Sequence, residues 1–473
     1  MNCDKIGRHI PVMDFNSPIF LFLFLPLFMV IYHLLPVRGK QVAGVVVSLA
    51  FYAWGYLTAV PIMLALVLGA YLLGLGISRW RQSRWALAML WSAVVANVGL
   101  VIGFKLWGGG AYPLGLSYVT FQVMADLIEV YKKRVECEHD ILRFAFYLLL
   151  FPKLPVGPIV RYSSIKDQVG TLQVAPNEAA EGLRRFLRGL AKKVLIADTL
   201  AKVVNPIFHL ATPNISPGIA WLVLASYALQ LFFDFSGYTD MAIGLGRMMG
   251  LRFVENFNFP YISTSIGDFW RRWHISLSSW FRDFVFYPLE RRRLKWIGQP
   301  LNTLIVFVLV GLWHGLAVTF VLWGLLHGLA LVFESTALGK KLTSSRLPFR
   351  RFYTLGVILL GWLLFRSSTP VYAWEFLKRL LGSTAGLTPL PFDVTSPLPF
   401  IEPTFIIAFC AGVILSLPVG PWLQKRIQIF LDGRGFSQIF AQILYDSSLT
   451  LLLVASIAAT ASSLFQPNIY GKF

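Results

Sequence analysis

Residues 304–333 read LIVFVLVGLWHGLAVTFVLWGLLHGLALVF, a run of 30 residues that carries two histidines and no other ionisable side chain. About 20 apolar residues in a helix are enough to cross the hydrocarbon core of a bilayer. The run therefore predicts a membrane-embedded segment that is too long for one upright span. It tilts, continues beyond the bilayer, or breaks near one of three glycines, Gly311, Gly315 and Gly324.

The composition of the whole chain predicts the same class of protein. Of its 473 residues, 56% are hydrophobic and 14% are charged, whereas soluble domains carry roughly 25% charged residues. We expect an all-α polytopic membrane protein, one integral-membrane domain over residues 1–473 with about ten to twelve membrane helices and further interfacial or re-entrant helices. The clearer candidate spans are residues 17–36, 41–60, 61–78, 85–107, 219–233, 302–334, 352–366, 401–418 and 445–465, and the weaker ones are 113–130, 141–160 and 183–204.

Basic residues outnumber acidic ones, 42 against 23, and the formal net charge is +19. In a soluble protein this excess favours a nucleic-acid partner, but the cytoplasmic loops of membrane proteins also collect Lys and Arg. Three basic clusters, at 38–40, 79–84 and 132–134, alternate with turns that carry no basic residue. The alternation predicts an outside N-terminus, with residues 17–36 as a retained first helix.

Three segments differ from plain spans. Residues 179–204 place apolar side chains on one helical stripe and basic ones, including Lys192 and Lys193, largely off it, which predicts an amphipathic helix at the cytoplasmic membrane surface. Residues 268–296 mix tryptophans with arginines, a composition typical of the lipid–water boundary. Residues 383–400 contain four of the 26 prolines and predict an extended loop on the outside.

His314 is the strongest candidate for chemistry, because an ionisable group inside a membrane is costly and usually functional. One interpretation is structural, with the imidazole donating to a carbonyl of a neighbouring helix. The other is a general base, since desolvation disfavours the imidazolium and a neutral histidine accepts a proton from a substrate hydroxyl. Gly311 and Gly315 remove side chains beside it, and we expect them to let a substrate approach the backbone.

Two further histidines compete with it. His327 lies 13 residues after His314, which on one straight helix separates the two by about 20 Å on nearly opposite faces. They share a proton only if the helix breaks between them, so one is expected to be chemical and the other architectural. His274, in the segment 268–296, is either a functional residue or a tryptophan-flanked histidine that anchors this segment to lipid headgroups.

Two acidic residues interrupt the apolar segment LFFDFSGYTDMAIGLGRMMG at 231–250. Asp234 and Asp240 are six residues apart, which corresponds to about 240° around a helix, so we do not expect them to face each other. A structural role is favoured for both. Gly237 between them predicts a break in the helix, where the freed backbone groups need polar partners.

Several common catalytic patterns are missing from the sequence. It contains no G-x-S-x-G, H-E-x-x-H or Walker sequence, and its three cysteines are too far apart for a disulfide framework or a metal site. A serine-nucleophile hydrolase and an ATP-driven pump are therefore poorly supported. The remaining chemistry is direct transfer from an activated donor such as a thioester, with a histidine as base and nearby donors stabilising the oxyanion.

Residues 231–330 resemble the membrane-bound O-acyltransferase family. The matching motifs are FDFSGYTDMAIGLGRMMG (233–250), ENFNFPYISTSIGDFWRRWHISLSSWFRDFVFYPL (255–289), GLWHG (311–315) and WGLLHG (323–328). The segment FPKLPVGPIVRY (151–162) extends the resemblance toward the N-terminus. The 40 residues from His274 to His314 fit the bacterial branch that modifies cell-surface polymers, in which the nearest resemblance is to alginate O-acetylases.

The resemblance implies a ring of membrane helices around a central funnel, with the core motifs in residues 231–330. It implies that His314 is the catalytic histidine and His274 a second functional histidine. It also implies an acyl donor from the cytoplasm, with acetyl-CoA as the expected substrate and no bound cofactor or metal. A periplasmic esterase-like partner would complete transfer to a polysaccharide at the bacterial inner membrane.

Three arginines are candidates for contacts to the CoA phosphates, Arg271, Arg272 and Arg282, although cytoplasmic placement explains them equally well. Two other functions stay open. One is transfer of D-alanyl groups to teichoic acid-type polymers, within the same family. The other, from a different class, is a proton-coupled transporter or flippase in which intramembrane His and Asp groups relay protons.

Overall fold

The computed structural model describes residues 13–107, 112–291, 298–388, 401–420, 422–423, 426 and 435–462. Within these residues the secondary structure is helical, and no β-strand is present. Of the predicted loop at 383–400, residues 389–400 lie outside the described ranges, as do residues 292–297 of the predicted interfacial segment.

The α-helices follow one another in this order: α1 Leu25–Leu34, α2 Val37–Tyr56, α3 Val60–Arg79, α4 Arg84–Trp107, α5 Leu116–Tyr131, α6 Ile141–Leu149, α7 Tyr162–Thr171, α8 Pro176–Ala191, α9 Thr199–Phe208, α10 Pro217–Met248, α11 Ile266–Arg272, α12 Ile275–Phe281, α13 Tyr287–Glu290, α14 Gly298–His314, α15 Val318–Ser335, α16 Ala337–Thr343, α17 Leu347–Arg366, α18 Pro370–Leu380, α19 Pro403–Leu415 and α20 Gly435–Ser462. Three π-helical segments, Phe20–Phe24, Lys192–Asp198 and Arg282–Phe286, adjoin α-helices.

Six helical stretches of the described residues are long and apolar enough to cross a membrane: Val37–Arg79, Arg84–Leu106, Pro217–Met248, Val318–Ser335, Leu347–Arg366 and Ile439–Ala461. The first contains both α2 and α3, each 20 residues long and so about 30 Å in length. Three shorter apolar helices are Phe20–Leu34, Gly298–His314 and Pro403–Leu415. The predicted all-α polytopic membrane protein is confirmed, while the number of ten to twelve membrane helices stays a prediction.

The chain divides into two compact units, and the single domain over residues 1–473 stays a prediction. The first unit includes the described parts of 13–186 and 241–254, and the second includes the described parts of 187–240 and 255–462. In the first unit the Phe151 ring packs against five other phenylalanine rings at centroid distances of 5.4–6.3 Å, those of Phe15, Phe20, Phe24, Phe28 and Phe51. All the histidines singled out above lie in the second unit.

The weaker candidate span at 141–160 does not form one helix. α6 covers only nine residues and ends at Leu149, about 14 Å from its start. A 3-10 turn at Phe151–Lys153 follows, with Pro152 in its first turn. Proline and the restriction it places on the preceding residue oppose continuation of an α-helix.

The predicted helix break at Gly237 is wrong. α10 runs from Pro217 to Met248 without interruption. A Cβ added at Gly237 would lie 2.8 Å from the Gly189 carbonyl oxygen and 3.0 Å from the Lys193 amide nitrogen. The missing side chain therefore allows α10 to pack backbone to backbone against the helical segment that contains residues 189–193.

That segment corrects a second expectation. The chain is helical from Pro176 through Phe208, as the amphipathic pattern predicts, but Lys193 does not join the basic surface. Its side chain is 2% exposed, and Nζ lies 2.7 Å from both an Asp198 and an Asp234 carboxylate oxygen. Burial alone lowers the pKa of a lysine, but the two carboxylates raise the pKa of Lys193 above its ordinary value.

Both intramembrane acids therefore have structural partners. Asp234 pairs with Lys193, and Asp240 pairs with Lys192, with an Nζ–oxygen distance of 2.6 Å. The expectation that Asp234 and Asp240 do not act as a facing pair is confirmed. Their ion pairs join α10, at positions six residues apart, to the adjacent residues 192 and 193 of the other helical segment.

Candidate active site

The apolar run 304–333 folds as two helices joined by a short turn. α14 ends at His314, and α15 begins at Val318 after Gly315–Ala317. The run thus breaks at Gly315, one of the three predicted positions. His314 is placed at the end of a helix, beside the turn, and not in the middle of a span.

The glycines beside His314 serve helix packing. A Cβ at Gly311 would lie 2.4 Å from the Phe320 carbonyl oxygen, and one at Gly315 would lie 2.4 Å from the Phe320 ring. A Cβ at Gly324 would lie 2.3 Å from the Phe307 carbonyl oxygen. Since α15 fills the space at Gly311 and Gly315, the expected approach of a substrate to the backbone there is wrong.

Aromatic rings enclose the His314 imidazole, and the residue is 5% exposed. The ring centroid lies 4.5 Å from that of Trp313, 4.9 Å from that of Phe365 and 5.2 Å from that of Trp323. The Phe365 and Trp323 rings meet the imidazole nearly edge to face, at 79° and 86°. His314 therefore occupies an apolar enclosure built from α14, α15 and α17.

His327 lies much closer to His314 than a straight helix predicts. The Trp323 ring contacts both imidazoles, with centroid distances of 5.2 Å to His314 and 5.0 Å to His327. The two imidazole centroids are thus separated by no more than the sum of these distances, about 10 Å, instead of the expected 20 Å. The reason is the chain reversal at Gly315, which lays α15 back along α14.

The surroundings of His327 favour an architectural role. The residue is completely buried, and neither ring nitrogen has a hydrogen-bond partner among the described residues. A Cβ added at Gly361 would lie 2.7 Å from its Nε2, so α17 packs directly against the imidazole. The side chain fills space between α15 and α17, and its role in the reaction stays a prediction.

His274 lies at the junction of two short helices, α11 and α12, in a left-handed backbone conformation with φ 43° and ψ 53°. Residues other than glycine rarely adopt this region. Backbone hydrogen bonds hold the chain on both sides: Asn258 N–H donates to the Arg272 carbonyl at 2.9 Å, and Ile275 N–H donates to the Asn256 carbonyl at 3.0 Å. Conformations maintained in this way cluster at functional sites.

The helix before His274 is anchored to α15. The Glu334 carboxylate, near the end of α15, accepts hydrogen bonds from the N–H groups of Ile266 and Gly267 at the start of α11. The Ser265 hydroxyl accepts another from the Asp268 N–H at 2.9 Å. These acceptors satisfy amides that have no partner inside the helix. The end of α15 therefore fixes the position of the segment that carries His274.

Asn256 is a site residue that the sequence analysis missed. Its Oδ1 accepts hydrogen bonds from the Ser276 N–H at 3.1 Å and from the Ser276 hydroxyl at 2.9 Å, and it lies 3.2 Å from His274 Nδ1. Because the Ser276 N–H only donates, the atom it meets is the carbonyl oxygen of the amide. His274 Nδ1 must then carry the proton and donate it to Oδ1. The sequence signal that could have identified Asn256 was the polar motif ENFN at 255–258, in an otherwise aromatic stretch.

A neutral His274 with a proton on Nδ1 keeps its lone pair on Nε2. The side chain is 1% exposed, and Nε2 has no hydrogen-bond partner among the described residues. Burial lowers the pKa of His274 to about 3, so the ring is neutral at physiological pH. The structure therefore presents an acceptor nitrogen in an apolar environment, which costs free energy unless a donor occupies it.

His274 and His314 belong to one aromatic cluster. The Phe235 ring of α10 meets the His274 imidazole edge to face at 4.7 Å, and Trp313 lies 6.3 Å from it. Since Trp313 also lies 4.5 Å from His314, the two imidazole centroids are at most the sum of these distances apart, about 11 Å. The structure thus brings both predicted histidines to the same region of the second unit.

The three candidate phosphate-binding arginines already have acidic neighbours. Arg271 and Arg272 both approach Asp268, at 3.5 Å and 3.0 Å, and Arg282 Nε lies 2.9 Å from Asp283. Arg271 and Arg282 are largely exposed, whereas Arg272 is mostly covered. A phosphate would compete with these carboxylates, so the assignment to CoA stays a prediction.

No candidate metal centre is found in the described part of the chain, where no three His, Cys, Asp or Glu side chains are grouped closely enough to hold an ion.

Comparison with known proteins gives a family match and relatives that cover most of the chain. The model of the membrane-bound O-acyltransferase family matches residues 50–338. A probable alginate O-acetylase of Pseudomonas putida is 38% identical over 98% of this chain and 100% of its own length. That of Pseudomonas aeruginosa is 37% identical over 78% of this chain and 75% of its own. A peptidoglycan O-acetyltransferase of Helicobacter pylori is 32% identical over 91% and 96%.

Proposed function

The chain belongs to the membrane-bound O-acyltransferase family and is a multi-pass membrane O-acyltransferase, and from this premise we propose that it moves an acetyl group from acetyl-CoA toward an extracellular polysaccharide such as alginate. The observation that carries the proposal is the pair of buried imidazoles, His314 and His274, that share the Trp313 ring. The names of the three relatives above support acetyl as the acyl group.

His314 acts as the general base in this proposal. Its neutral imidazole takes the proton from an acceptor hydroxyl while that oxygen attacks the carbonyl carbon of the thioester. The new C–O bond forms, the C–S bond breaks, and the proton passes from His314 to the departing thiolate. The aromatic enclosure excludes water, which limits hydrolysis of the thioester and strengthens hydrogen bonds made to the transition state.

His274 has a different part, because burial makes its imidazole a weak base and Asn256 fixes its tautomer. With Nδ1–H committed to Asn256, Nε2 is left to accept a hydrogen bond from a donor on the substrate. A fixed acceptor orients the reacting group without taking its proton. We therefore assign proton transfer to His314 and orientation to His274.

Location and partner follow from the same proposal. We place the protein in the bacterial inner membrane, where the donor arrives from the cytoplasm. A periplasmic esterase-like protein would receive the acetyl group and complete transfer to the polymer. The basic clusters at 38–40, 79–84 and 132–134 support a cytoplasmic side that is rich in Lys and Arg.

The substitution His314→Ala tests the proposal, with His139→Ala as a matched control at an exposed histidine of the first unit. Membranes containing each variant receive labelled acetyl-CoA and polymer, and the O-acetyl content of the product is measured by mass spectrometry. Loss of a general base predicts a fall of about 100-fold or more for His314→Ala. His139→Ala is expected to match the wild type.

Three results would count against parts of the proposal. Normal O-acetylation by the His314→Ala variant would show that His314 is not the general base. Labelled acetyl that never leaves acetyl-CoA in the purified protein, with or without partner fractions, would show that acetyl-CoA is not the donor. Label that enters polymer only from a D-alanyl carrier supports the D-alanyl alternative, and proton flux without acyl transfer supports a transporter.

A further inference from the structure

Trp323, in the second turn of α15, lies beside both buried imidazoles of the turn-joined helices. Its ring centroid is 5.2 Å from that of His314 and 5.0 Å from that of His327. The Phe365 ring of α17 packs against it at 5.7 Å, and the Trp270 ring of α11 meets it edge to face at 5.8 Å. Trp323 is 1% exposed. Four rings from three other elements and its own helix therefore hold the indole in one position, away from water.

The indole N–H of Trp323 lacks an acceptor. Its Nε1 is buried and makes no hydrogen bond within the described residues. An indole nitrogen only donates, and a buried donor without an acceptor costs about 1–3 kcal/mol. Native structures keep few such groups, and a catalytic role is one reason why they persist. Trp323 thus presents a donor that an acceptor atom of a substrate would satisfy.

Trp270 carries an N–H of the same kind in a different place. Its indole nitrogen is also buried without a hydrogen-bond partner in the described ranges. Its ring packs against those of Phe307 and His327, at 5.1 Å and 5.4 Å. Among the described residues it makes no ring contact with His314. Of these two orphaned indole donors, only that of Trp323 belongs to a ring in contact with the proposed base.

The position of Trp323 fits the reaction that His314 would catalyse. When a hydroxyl attacks a thioester, the former carbonyl oxygen becomes an oxyanion. The attacking oxygen, whose proton passes to His314, is bonded to the same carbon as this oxyanion. A donor to the oxyanion must therefore lie next to the base, separated from it by that carbon and two hydrogen bonds of about 2.7–3.1 Å. The Trp323 ring, nearly perpendicular to the imidazole at 86°, is such a neighbour.

His274, the other imidazole of the site, cannot supply this donor. Its Nδ1–H is directed to the Asn256 side-chain oxygen, and its Nε2 carries a lone pair. A lone pair repels an oxyanion, so the donor has to come from another residue.

We propose that Trp323 is the oxyanion donor of this acyltransferase. The inference rests on the proposed function. As the C–O bond forms, the π electron pair of the carbonyl moves to its oxygen, and Nε1–H donates a hydrogen bond to that oxygen without losing its proton. When the pair returns, the C–S bond breaks and the thiolate takes the proton held by His314. The surrounding rings strengthen the hydrogen bond, because water does not compete for it.

Two replacements of Trp323 test the inference on full-length protein in nanodiscs. Trp323→Phe removes the N–H together with part of the ring. The residue 3-benzothienylalanine, introduced at position 323 by codon suppression, keeps the shape of the indole and has sulfur in place of the N–H. The kcat and KM values are measured with labelled acetyl-CoA, polymer and the partner fraction. Binding is measured with S-ethyl-CoA, a thioether that has no carbonyl, and stability by thermal unfolding.

Loss of one oxyanion donor is expected to lower kcat and kcat/KM equally, by about 100-fold or more. The dissociation constant of S-ethyl-CoA should not change, because the hydrogen bond forms only to the oxyanion. The benzothienylalanine variant is expected to melt like the wild type, whereas Trp323→Phe should melt at a lower temperature because it leaves space unfilled. A residue that only fills space would keep wild-type kcat in the isosteric variant.

Trp270 is the matched control, with the same two replacements. Because its ring contacts His327 and not His314, benzothienylalanine at position 270 is expected to leave kcat unchanged. Wild-type kcat with benzothienylalanine at position 323 overturns the inference. Equal loss of kcat from this residue at positions 270 and 323 also overturns it, since the loss would then not depend on contact with the base.

Failure of the inference is distinguishable from failure of the proposed function. If His314→Ala is inactive while the isosteric variant at position 323 has normal kcat, only the oxyanion donor is wrong. If the wild type uses a D-alanyl carrier thioester instead of acetyl-CoA, the proposed acyl donor is wrong. The same variants are then assayed with that carrier, because an oxyanion forms at any thioester, and the same loss of kcat supports Trp323. If neither thioester transfers its acyl group, both proposals are wrong.

Discussion

Replacement of Asn256 separates orientation of His274 from proton transfer by His314. Asn256→Leu keeps a similar volume and removes the Oδ1 acceptor that receives His274 Nδ1–H. Asn256→Asp keeps an acceptor at the same place and adds a negative charge. Asn258→Leu is the matched control, since the Asn258 side chain is exposed and Asn258 contacts Arg272 through its own backbone N–H and carbonyl only.

The magnitude follows from the three hydrogen bonds that Oδ1 accepts. Each contributes about 0.5–1.5 kcal/mol. Without the bond from His274 to Oδ1, the proton is no longer held on Nδ1, and the tautomer with a lone pair on Nε2 is less favoured. The lost free energy corresponds to a fall in kcat of about 2- to 13-fold. Losing the two bonds to Ser276 lowers the free energy of unfolding by about 1–3 kcal/mol. Asn256→Leu is therefore expected to be slower and less stable, and Asn258→Leu unchanged in both.

Asn256→Asp should differ from Asn256→Leu in its pH dependence. A carboxylate beside Nδ1 stabilises the imidazolium, so the pKa of His274 rises from about 3 toward the ordinary histidine value. A protonated His274 has no lone pair on Nε2. The variant should approach wild-type rates at alkaline pH and lose activity as the pH falls through the raised pKa.

The assay is single-turnover transfer from labelled acetyl-CoA in nanodiscs between pH 5 and 9, together with thermal unfolding. Wild-type kcat and an unchanged pH profile in Asn256→Leu would refute the orienting role. Equal loss of activity in the Asp and Leu variants at every pH would also refute it, because only one of them lacks an acceptor.

Two further predictions concern the packing of α10. Gly237→Ala is expected to destabilise the protein by about 1–3 kcal/mol, because its Cβ would meet backbone atoms of residues 189 and 193. The control is Gly356→Ala, where no atom lies within 4 Å and no destabilisation is expected. Equal melting temperatures of the two variants would contradict the close packing at Gly237. Lys193→Met leaves Asp198 and Asp234 without their buried cation and should lower the free energy of unfolding by about 3–5 kcal/mol. Lys202→Met, at an exposed lysine of α9, is its control, and similar melting of the two would show that the buried pairs contribute nothing.

The sequence predicted the features that hydropathy and local pattern determine. Apolar runs longer than about 20 residues identified the membrane class. The excess length of 304–333 left a tilt, a continuation beyond the bilayer or a break at one of three glycines, and the structure has the break at Gly315. His314 and His274 were singled out as candidates because an ionisable group in such surroundings requires an explanation, and their roles in the reaction stay predictions. These inferences need only the properties of single residues and their near neighbours along the chain.

The errors arose where a residue's role depends on a distant partner. A glycine can break a helix, or it can allow the backbone of another helix to pack closely against it. At Gly237 and Gly311 the neighbouring atoms that decide between these roles belong to other helices. Lys193 follows the basic pattern of its helix, yet two carboxylates hold it in the interior. Asn256 lies 18 residues before His274, and only the paired backbone of the two segments brings them together.

The left-handed backbone at His274 determines how substitutions there should be interpreted. An alanine at φ 43° loses the imidazole and also strains the main chain, so its phenotype combines two defects. Asparagine enters this region more readily than most residues, and β-branched residues scarcely do. In a complete mutational scan, the residues tolerated at position 274 would first follow their preference for the left-handed region of φ and ψ. Only the difference between histidine and asparagine would then report on the imidazole itself.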